Sequence, residues 1–272
     1  MTHQFAKYHA LGNDMLVIDP ATFTLPLTPE RARLLCQRHF GLGADGICYG
    51  PLPDEQGPNP MRFINPDGSE AEKSGNGLRI FARYLWDEGY VHGRSFTITI
   101  HGQPVQADVL DDGARTIALA MGRLTFARIE EAVQVGGEVV RLTAVSIGNP
   151  HCVLFTDDLD AVHAIGPKLE SAPLFPNRTN VQLARVLDDH TIEIAIWERG
   201  AGYTLASGTS ASAAAGTAVR TGRCQSPVTV RMAGGEATVA VDADWQVVLT
   251  GTVTAVAQGT IAPDLQQELE QM

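Results

Sequence analysis

Two strong helix signals, each preceded by a Ser-Gly pair, stand in a chain that is otherwise rich in short strand signals. The first covers residues 75–88, where apolar residues recur at helical spacing. The second covers residues 209–220 and consists largely of alanine and other small residues, so it can pack very closely against a neighbour. Because each helix lies behind strands and late in its own half of the chain, the sequence predicts α plus β structure and suggests a duplicated unit.

The strand signals are short runs rich in Val, Ile and Thr that are bounded by Gly, Asp and Asn. They predict strands at residues 15–18, 96–100, 116–120, 139–145, 152–155, 191–197, 228–232, 237–241 and 247–250. A weaker helix pattern covers residues 29–38. A chain of 272 residues is long enough for two lobes, since single hydrophobic cores tend to split near this length.

The charge balance and the cysteine pattern argue against several functions. The formal net charge is -11 and the acids are scattered, whereas nucleic-acid binding requires a basic patch. No apolar run approaches the roughly 18 residues of a membrane-spanning helix, and the N-terminus lacks the order of a signal peptide. The four cysteines show no CxxC pair or zinc spacing. We expect a cytoplasmic protein with no nucleic-acid or membrane partner, no metal and no nucleotide or pyridoxal cofactor.

The two helix starts are similar in sequence: SGNG at residues 74–77 and SGTS at residues 207–210. Free N–H groups and the positive end of the helix dipole make a helix N-terminus an anion site. If the two starts face each other, they hold one carboxylate with Ser74 and Ser207 on either side. That arrangement suits proton removal from one face of an α-carbon and delivery to the other. The alternative is that both serines are helix N-caps, for which serine is a preferred residue.

Five segments, in order, carry a resemblance to the diaminopimelate epimerase family. They are HALGND at residues 9–14, RFINPDGSEAEKSGNG at residues 62–77, SIGNPHCV at residues 146–153, TNV at residues 179–181 and WERGAGYTLASGTSASAA at residues 197–214. The resemblance covers essentially the whole chain. It implies an α+β fold of two pseudo-symmetric lobes, each a mostly antiparallel sheet wrapped around a central helix.

The resemblance also implies the domain bounds and the setting. The N-terminal lobe is expected at residues 1–119 with a returning C-terminal strand within 253–272, and the C-terminal lobe at residues 120–252. The implied activity is that of a cofactor-independent amino-acid epimerase of lysine biosynthesis. Its substrate is expected to be diaminopimelate or a related amino acid, and a homodimer is expected because family members often dimerise.

Site residues follow from the resemblance position by position. Backbone N–H groups of four residues would hold the carboxylate at the reacting centre: Gly75, Asn76, Gly208 and Thr209. Six side chains would surround the rest of the amino acid: Asn13, Asn65, Asn149, Asn180, Glu198 and Arg199. A zwitterionic diacid needs amides, one guanidinium fork and one acid, so these residue types suit it independently. The alternative for Asn13, Asn65 and Asn149 is that they shape turns.

The sequence departs from the family pattern where proton transfer occurs. Ser74 and Ser207 stand in place of the two catalytic cysteines, and three further positions also differ: Ile80, Tyr203 and Ser212. A serine hydroxyl is a far weaker acid than a thiol and needs a partner base. Lys73 is adjacent to Ser74, but neighbouring residues usually point apart, so we do not favour a dyad.

Other residues near the motifs leave questions open. His151 and Cys152 are expected either near the pocket or, more simply, in strand packing, since cysteine is commonly buried. Gly46 stands where relatives often carry a larger polar residue, which implies that part of the pocket is remodelled.

Three hypotheses remain. The chain is an epimerase or isomerase working through serines, or a catalytically silent relative that binds an amino acid. The third is deliberate replacement of the two cysteines, which the other departures disfavour.

Overall fold

The computed structural model describes residues 3–53, 55–71, 74–135 and 137–272. The chain packs into two compact units. The first comprises Met1–Leu119 and Thr252–Met272, and the second comprises Ala120–Gly251. Within the described residues, no helix is long and apolar enough to cross a membrane.

The first unit holds three helices and most of its strands are short. Its helices are α1 (Pro29–Cys36), α2 (Gly75–Asp87) and α5 (Pro263–Glu270). Its strands are β1 (Gln4–Ala10), β2 (Asn13–Ile18), β3 (Ile47–Tyr49), β4 (Pro60–Ile64), β5 (Glu70–Ala71), β6 (Ser95–Ile100), β7 (Gln103–Val109) and β18 (Thr254–Thr260), and β8 (Thr116–Arg123) runs across the division between the units.

The second unit has the same kinds of element. Its helices are α3 (Val162–Glu170) and α4 (Gly208–Arg220). Its strands are β9 (Thr125–Val135), β10 (Glu138–Ser146), β11 (Pro150–Phe155), β12 (Asn180–Asp188), β13 (Thr191–Glu198), β14 (Gly202–Thr204), β15 (Val228–Met232), β16 (Gly235–Val241) and β17 (Gln246–Thr252).

Each unit has a mostly antiparallel sheet. In the first, β1 lies between β18 and β2, and both pairings are antiparallel, while β2 and β3 run parallel. In the second, β9, β10 and β11 form antiparallel pairs, β11 and β12 run parallel, and β12 and β13 are antiparallel again. This architecture agrees with the predicted α+β class.

One long helix is buried in each unit. Ten of the first eleven residues of α2 are buried, and burial in α4 is continuous from Gly208 to Ala218. The small residues of α4 allow this, because a Cβ added at Gly216 would lie 2.1 Å from Cδ1 of Leu124. The close packing predicted for this helix is therefore confirmed.

Shorter helices cover a second layer of core. In the first unit, α1 and α5 enclose apolar residues that include Leu16, Leu35 and Leu269. In the second, α3 packs over Cys152, Leu183 and their neighbours. All nine strands and three helices predicted from the sequence are present, and β18 lies in the predicted returning segment. Two helices and eight of the described strands were not predicted: α3, α5, β1, β3, β4, β5, β7, β9, β12 and β14.

Candidate active site

A hydrogen bond between the Ser74 side chain and the Gly77 backbone caps the start of α2. Ser74 has extended backbone angles, and its Oγ accepts the N–H of Gly77 at 3.1 Å. Ser74 is therefore a side-chain N-cap, as the simpler reading predicted. The Gly75 and Asn76 that follow are buried in the first turn.

Asn13 reaches this helix start from the hairpin between β1 and β2. Leu11 and Gly12 both have positive φ, as a two-residue hairpin loop requires, and Ala10 pairs with Asn13. The tight turn places Asn13 at the first position of β2. Its Oδ1 accepts from Nδ2 of Asn76 at 3.1 Å. Two of the predicted site residues are thus in direct contact.

Asn65 instead forms part of a turn. Its Nδ2 donates to Oγ of Ser69 at 3.0 Å, its backbone N–H donates to the carbonyl of Ser69, and its carbonyl accepts from Gly68. The turn-shaping alternative describes what these contacts do. A ligand contact from Asn65 stays a prediction.

The start of α4 differs from that of α2 in one respect. Ser207 has extended backbone angles but makes no side-chain cap hydrogen bond. Its Oγ lies 3.5 Å from Oγ1 of Thr209, and both residues are 6% exposed. Nδ2 of Asn149 lies 3.5 Å from the same Thr209 oxygen. Ser207, Thr209 and Asn149, all predicted site residues, are therefore neighbours.

His151 lies behind Asn149 in the interior. Its Nε2 is 3.0 Å from Oδ1 of Asn149, and it is 1% exposed. Burial lowers the pKa of His151 to about 3, so the imidazole is neutral at pH 7 and donates through Nε2–H. Cys152 is fully buried, and burial raises the pKa of its thiol. Cys152 occupies the strand-packing position that the sequence favoured.

Asn180 connects two backbone segments of the second unit. Its Nδ2 donates to the carbonyl of Pro150 at 2.9 Å, and its Oδ1 accepts the N–H of Arg199 at 3.0 Å. The guanidinium of Arg199 donates to the carbonyl of Asn177 at 3.3 Å. Asn180 thereby fixes the backbone that carries Arg199. The adjacent Glu198 accepts from Oγ1 of Thr204 at 3.1 Å.

The space beside Gly46 is filled by an aromatic ring. A Cβ added at Gly46 would lie 2.7 Å from Cζ of Phe63, and one at Gly77 would lie 3.1 Å from Cδ2 of the same ring. Phe63 therefore packs on the first turn of α2. A larger residue at position 46 requires this ring to move.

Neither serine has a base in hydrogen-bond contact among the residues that the structure describes. Ser74 Oγ bonds to a backbone N–H, and Ser207 Oγ contacts the hydroxyl of Thr209. Lys73, the other residue considered as a partner, lies outside the described residues. Helix-start N–H groups, amides, a guanidinium and a carboxylate are groups that bind a zwitterionic amino acid.

The described residues offer no alternative site of metal-binding type, and their cavity lies elsewhere. No group of three or more His, Cys, Asp or Glu side chains lies where it could hold a metal ion. A cavity of about 420 Å³ in the first unit is lined by Asp19, Tyr84, Tyr90 and other residues, but by none of the predicted site residues.

Comparison with known proteins identifies the family. The sequence profile described as diaminopimelate epimerase matches residues 5–127 and 143–256, which is most of the chain. The chain belongs to the diaminopimelate epimerase family. Diaminopimelate epimerase 2 of Nostoc sp. is 47% identical over 96% of both chains, and the diaminopimelate epimerase of Nostoc punctiforme is 40% identical over 96% of this chain and all of the relative. The family predicted from the sequence, an isomerase family acting on amino acids, is confirmed.

Solved structures extend the likeness to the fold of the family. A phenazine biosynthesis protein of the PhzF family from Bacillus anthracis has a TM-score of 0.74 at 16% identity, covering 96% of this chain and 99% of its own. A probable proline racemase from Agrobacterium radiobacter has a TM-score of 0.73 at 15% identity, covering 96% of this chain and 93% of its own. At these identities the likeness shows the fold alone, and it confirms the predicted diaminopimelate epimerase-like architecture.

Proposed function

We propose that this chain is a cofactor-independent epimerase that uses Ser74 and Ser207 as its acid and base at the α-carbon of an amino acid. The observation that carries the proposal is the matched construction of the two helix starts. Each serine directly precedes a buried helix of 13 residues, and each start has an asparagine amide against it. Diaminopimelate, or an amino acid related to it, is the proposed substrate, which would place the protein in lysine biosynthesis.

The backbone N–H groups at both helix starts would hold the α-carboxylate of the substrate. A carboxylate held by N–H groups shares the charge that develops when the α-proton leaves, which lowers the barrier to its removal. Arg199 would clamp a carboxylate through two parallel hydrogen bonds, and Glu198 would accept from an ammonium group. A cytoplasmic location and a homodimer stay predictions.

The silent relative is the second candidate, and a specific observation favours it. The lone pair of Ser74 Oγ that faces the helix is used by the Gly77 N–H, and neither serine contacts a described Lys or His. A hydroxyl without a base is a poor proton acceptor at neutral pH. Under this alternative, the same amides and charges bind an amino acid without turnover.

Hydrogen exchange at the α-carbon separates the candidates. The protein is mixed with LL-diaminopimelate and a panel of other amino acids in deuterated water, and deuterium at the α-carbon is measured by NMR. Calorimetry on the same samples measures binding. Exchange supports the epimerase, binding without exchange supports the silent relative, and absence of both contradicts the two proposals.

An arginine pair provides the matched control. Arg199→Met removes the proposed carboxylate clamp, so binding and exchange should fall at least tenfold. Arg231→Met changes an exposed arginine of the second unit that pairs with the exposed Glu236 and should leave both unchanged. Equal effects of the two substitutions would count against the proposed role of Arg199.

A further inference from the structure

Asn13 and Asn76 belong to a chain of hydrogen bonds with one end buried. Arg79, three residues after Asn76 on α2, donates from Nη2 to Oδ1 of Asn76 at 2.6 Å. Nδ2 of Asn76 donates to Oδ1 of Asn13, and Nδ2 of Asn13 donates to Oδ2 of Asp45 at 3.0 Å. All three hydrogen bonds therefore point the same way, from the Arg79 guanidinium as donor to the Asp45 carboxylate as acceptor.

The groups at the two ends, Arg79 and Asp45, determine the orientation of both side-chain amides. A guanidinium can only donate and an ionised carboxylate can only accept, whereas an amide can be turned to do either. With Arg79 at one end, Oδ1 of Asn76 must face it, and with Asp45 at the other, Nδ2 of Asn13 must face that carboxylate. Neither amide can flip without placing two donors or two acceptors together.

The two ends lie in different surroundings, one fully buried and one partly exposed. Arg79 has no exposed surface, and among the described residues its Nε and Nη1 have no hydrogen-bond partner. Burial lowers the pKa of Arg79 to about 10, which leaves it charged at pH 7. Oδ1 of Asp45 accepts from Arg38 at 2.7 Å, and its Oδ2 also accepts the N–H of Asp14 at 3.2 Å.

A buried guanidinium is costly to retain for packing alone. Arg79 lies among fully buried apolar residues of α2, with Leu78 and Ile80 on either side in sequence. Side chains on a helix tilt toward its N-terminus, so an arginine at this position reaches the first turn, where Asn76 is. The residue is thus placed to act on the helix start.

We propose that Arg79 and Asp45 are positioning residues that fix the orientation of the Asn13 and Asn76 amides for ligand binding. This inference rests on the function proposed above, with Asn13 as a substrate-binding side chain and the Asn76 amide as the group that holds it. After its two hydrogen bonds, Asn13 retains one Nδ2 hydrogen and one Oδ1 lone pair. The fixed orientation makes the same group available in every molecule, so the ligand meets a single arrangement.

Exchange of the Asn13 side-chain amide hydrogens, measured by NMR and assigned with Asn13→Ala, tests the orientation without any ligand. Asp45→Asn replaces a group that only accepts hydrogen bonds, and Arg79→Gln replaces a group that only donates them, in each case with an amide that can do both. Both variants should accelerate exchange of the Asn13 amide hydrogens at least tenfold. Asp45 is partly exposed, so its variant keeps the test available if Arg79→Gln does not fold. Asp45→Glu, which keeps an acceptor-only end, should restore protection.

Arg31 supplies the matched control. It is another buried arginine of the first unit, but it donates to the backbone carbonyls of Leu269 and Pro26. Arg31→Gln should leave the Asn13 amide protected. Unchanged exchange in Asp45→Asn and Arg79→Gln, or an equal rise in Arg31→Gln, would overturn the proposal.

Binding provides the second readout. The affinity for LL-diaminopimelate, measured by calorimetry, should fall about tenfold in Asp45→Asn and recover in Asp45→Glu. An unchanged affinity in Asp45→Asn would overturn the role in ligand binding. If the unaltered protein binds neither diaminopimelate nor any amino acid of the panel, the proposed function fails, and the amide exchange still decides whether Arg79 and Asp45 fix the two amides.

Discussion

Replacing each serine with alanine separates helix capping from proton transfer. Ser74 and Ser207 precede helices of equal length, but only Ser74 makes a side-chain cap bond. Ser74→Ala leaves the buried N–H of Gly77 without its acceptor, which should cost about 1–2 kcal/mol of stability. Ser207→Ala breaks no cap and loses only a long 3.5 Å contact with Thr209, so we expect a cost below about 0.5 kcal/mol.

Amide hydrogen exchange measures this difference locally. A loss of 1–2 kcal/mol corresponds to a roughly 5- to 30-fold rise in exchange for the first turn of α2. The first turn of α4 should change little in Ser207→Ala. Ser74→Asn should restore protection, because asparagine is as good a cap as serine. Equal destabilisation of the two helices, or a larger effect at Ser207, would refute the reasoning.

The same variants report on chemistry. If both serines transfer protons, both alanine variants should lose α-hydrogen exchange, although only one loses helix stability. If only Ser74→Ala impairs function, and does so in proportion to its loss of helix stability, capping alone explains that residue.

Three further predictions follow from packing and burial. Gly46→Gln should displace the ring of Phe63 and destabilise the first unit by about 1–3 kcal/mol in urea unfolding; a stability equal to the unaltered protein would contradict the packing described. Gly166→Ala should cost a similar amount, since its Cβ would lie 2.7 Å from Cβ of Trp197, and an unchanged urea midpoint would refute it. His151 has a folded pKa of about 3, below the unfolded value near 6.5, so only the unfolded state binds its proton between these limits. The free energy of unfolding should therefore decrease as the pH is lowered from about 6.5 to about 3, by up to about 1.4 kcal/mol per pH unit. His151→Gln should remove that contribution, and an identical pH slope in the variant would contradict it.

The fold was predictable where sequence patterns are local. Residues 75–88 and 209–220 were recognised because helical periodicity and small-residue content persist over more than three turns, and both helices begin within a residue of the prediction. The strand β15 was predicted at its full length because it alternates and is bounded by turn residues. α3 was missed because Gly166 and Pro167 lie inside it, and both residues disfavour a helix interior.

The site was predictable only in part. The helix starts and the amides came from motifs, but the ends of the hydrogen-bond chain did not, because Asp45 joins Asn13 only after β2 and the loop before β3 come together. The sequence carries one signal for Arg79, since it is a charged residue directly between two apolar residues, Leu78 and Ile80, of the predicted helix. The different hydrogen bonds of the two serines could not be predicted, because both stand in a Ser-Gly pair before a helix.

Restoring thiols at both helix starts tests most directly whether this chain retains the substrate site of its family. Ser74→Cys with Ser207→Cys places acids with a pKa near 8.5, lowered further by the helix N-terminus, where hydroxyls now stand. The double variant should exchange the α-hydrogen of LL-diaminopimelate at least about a hundredfold faster than the unaltered protein. A folded double variant with no gain in exchange would contradict the account.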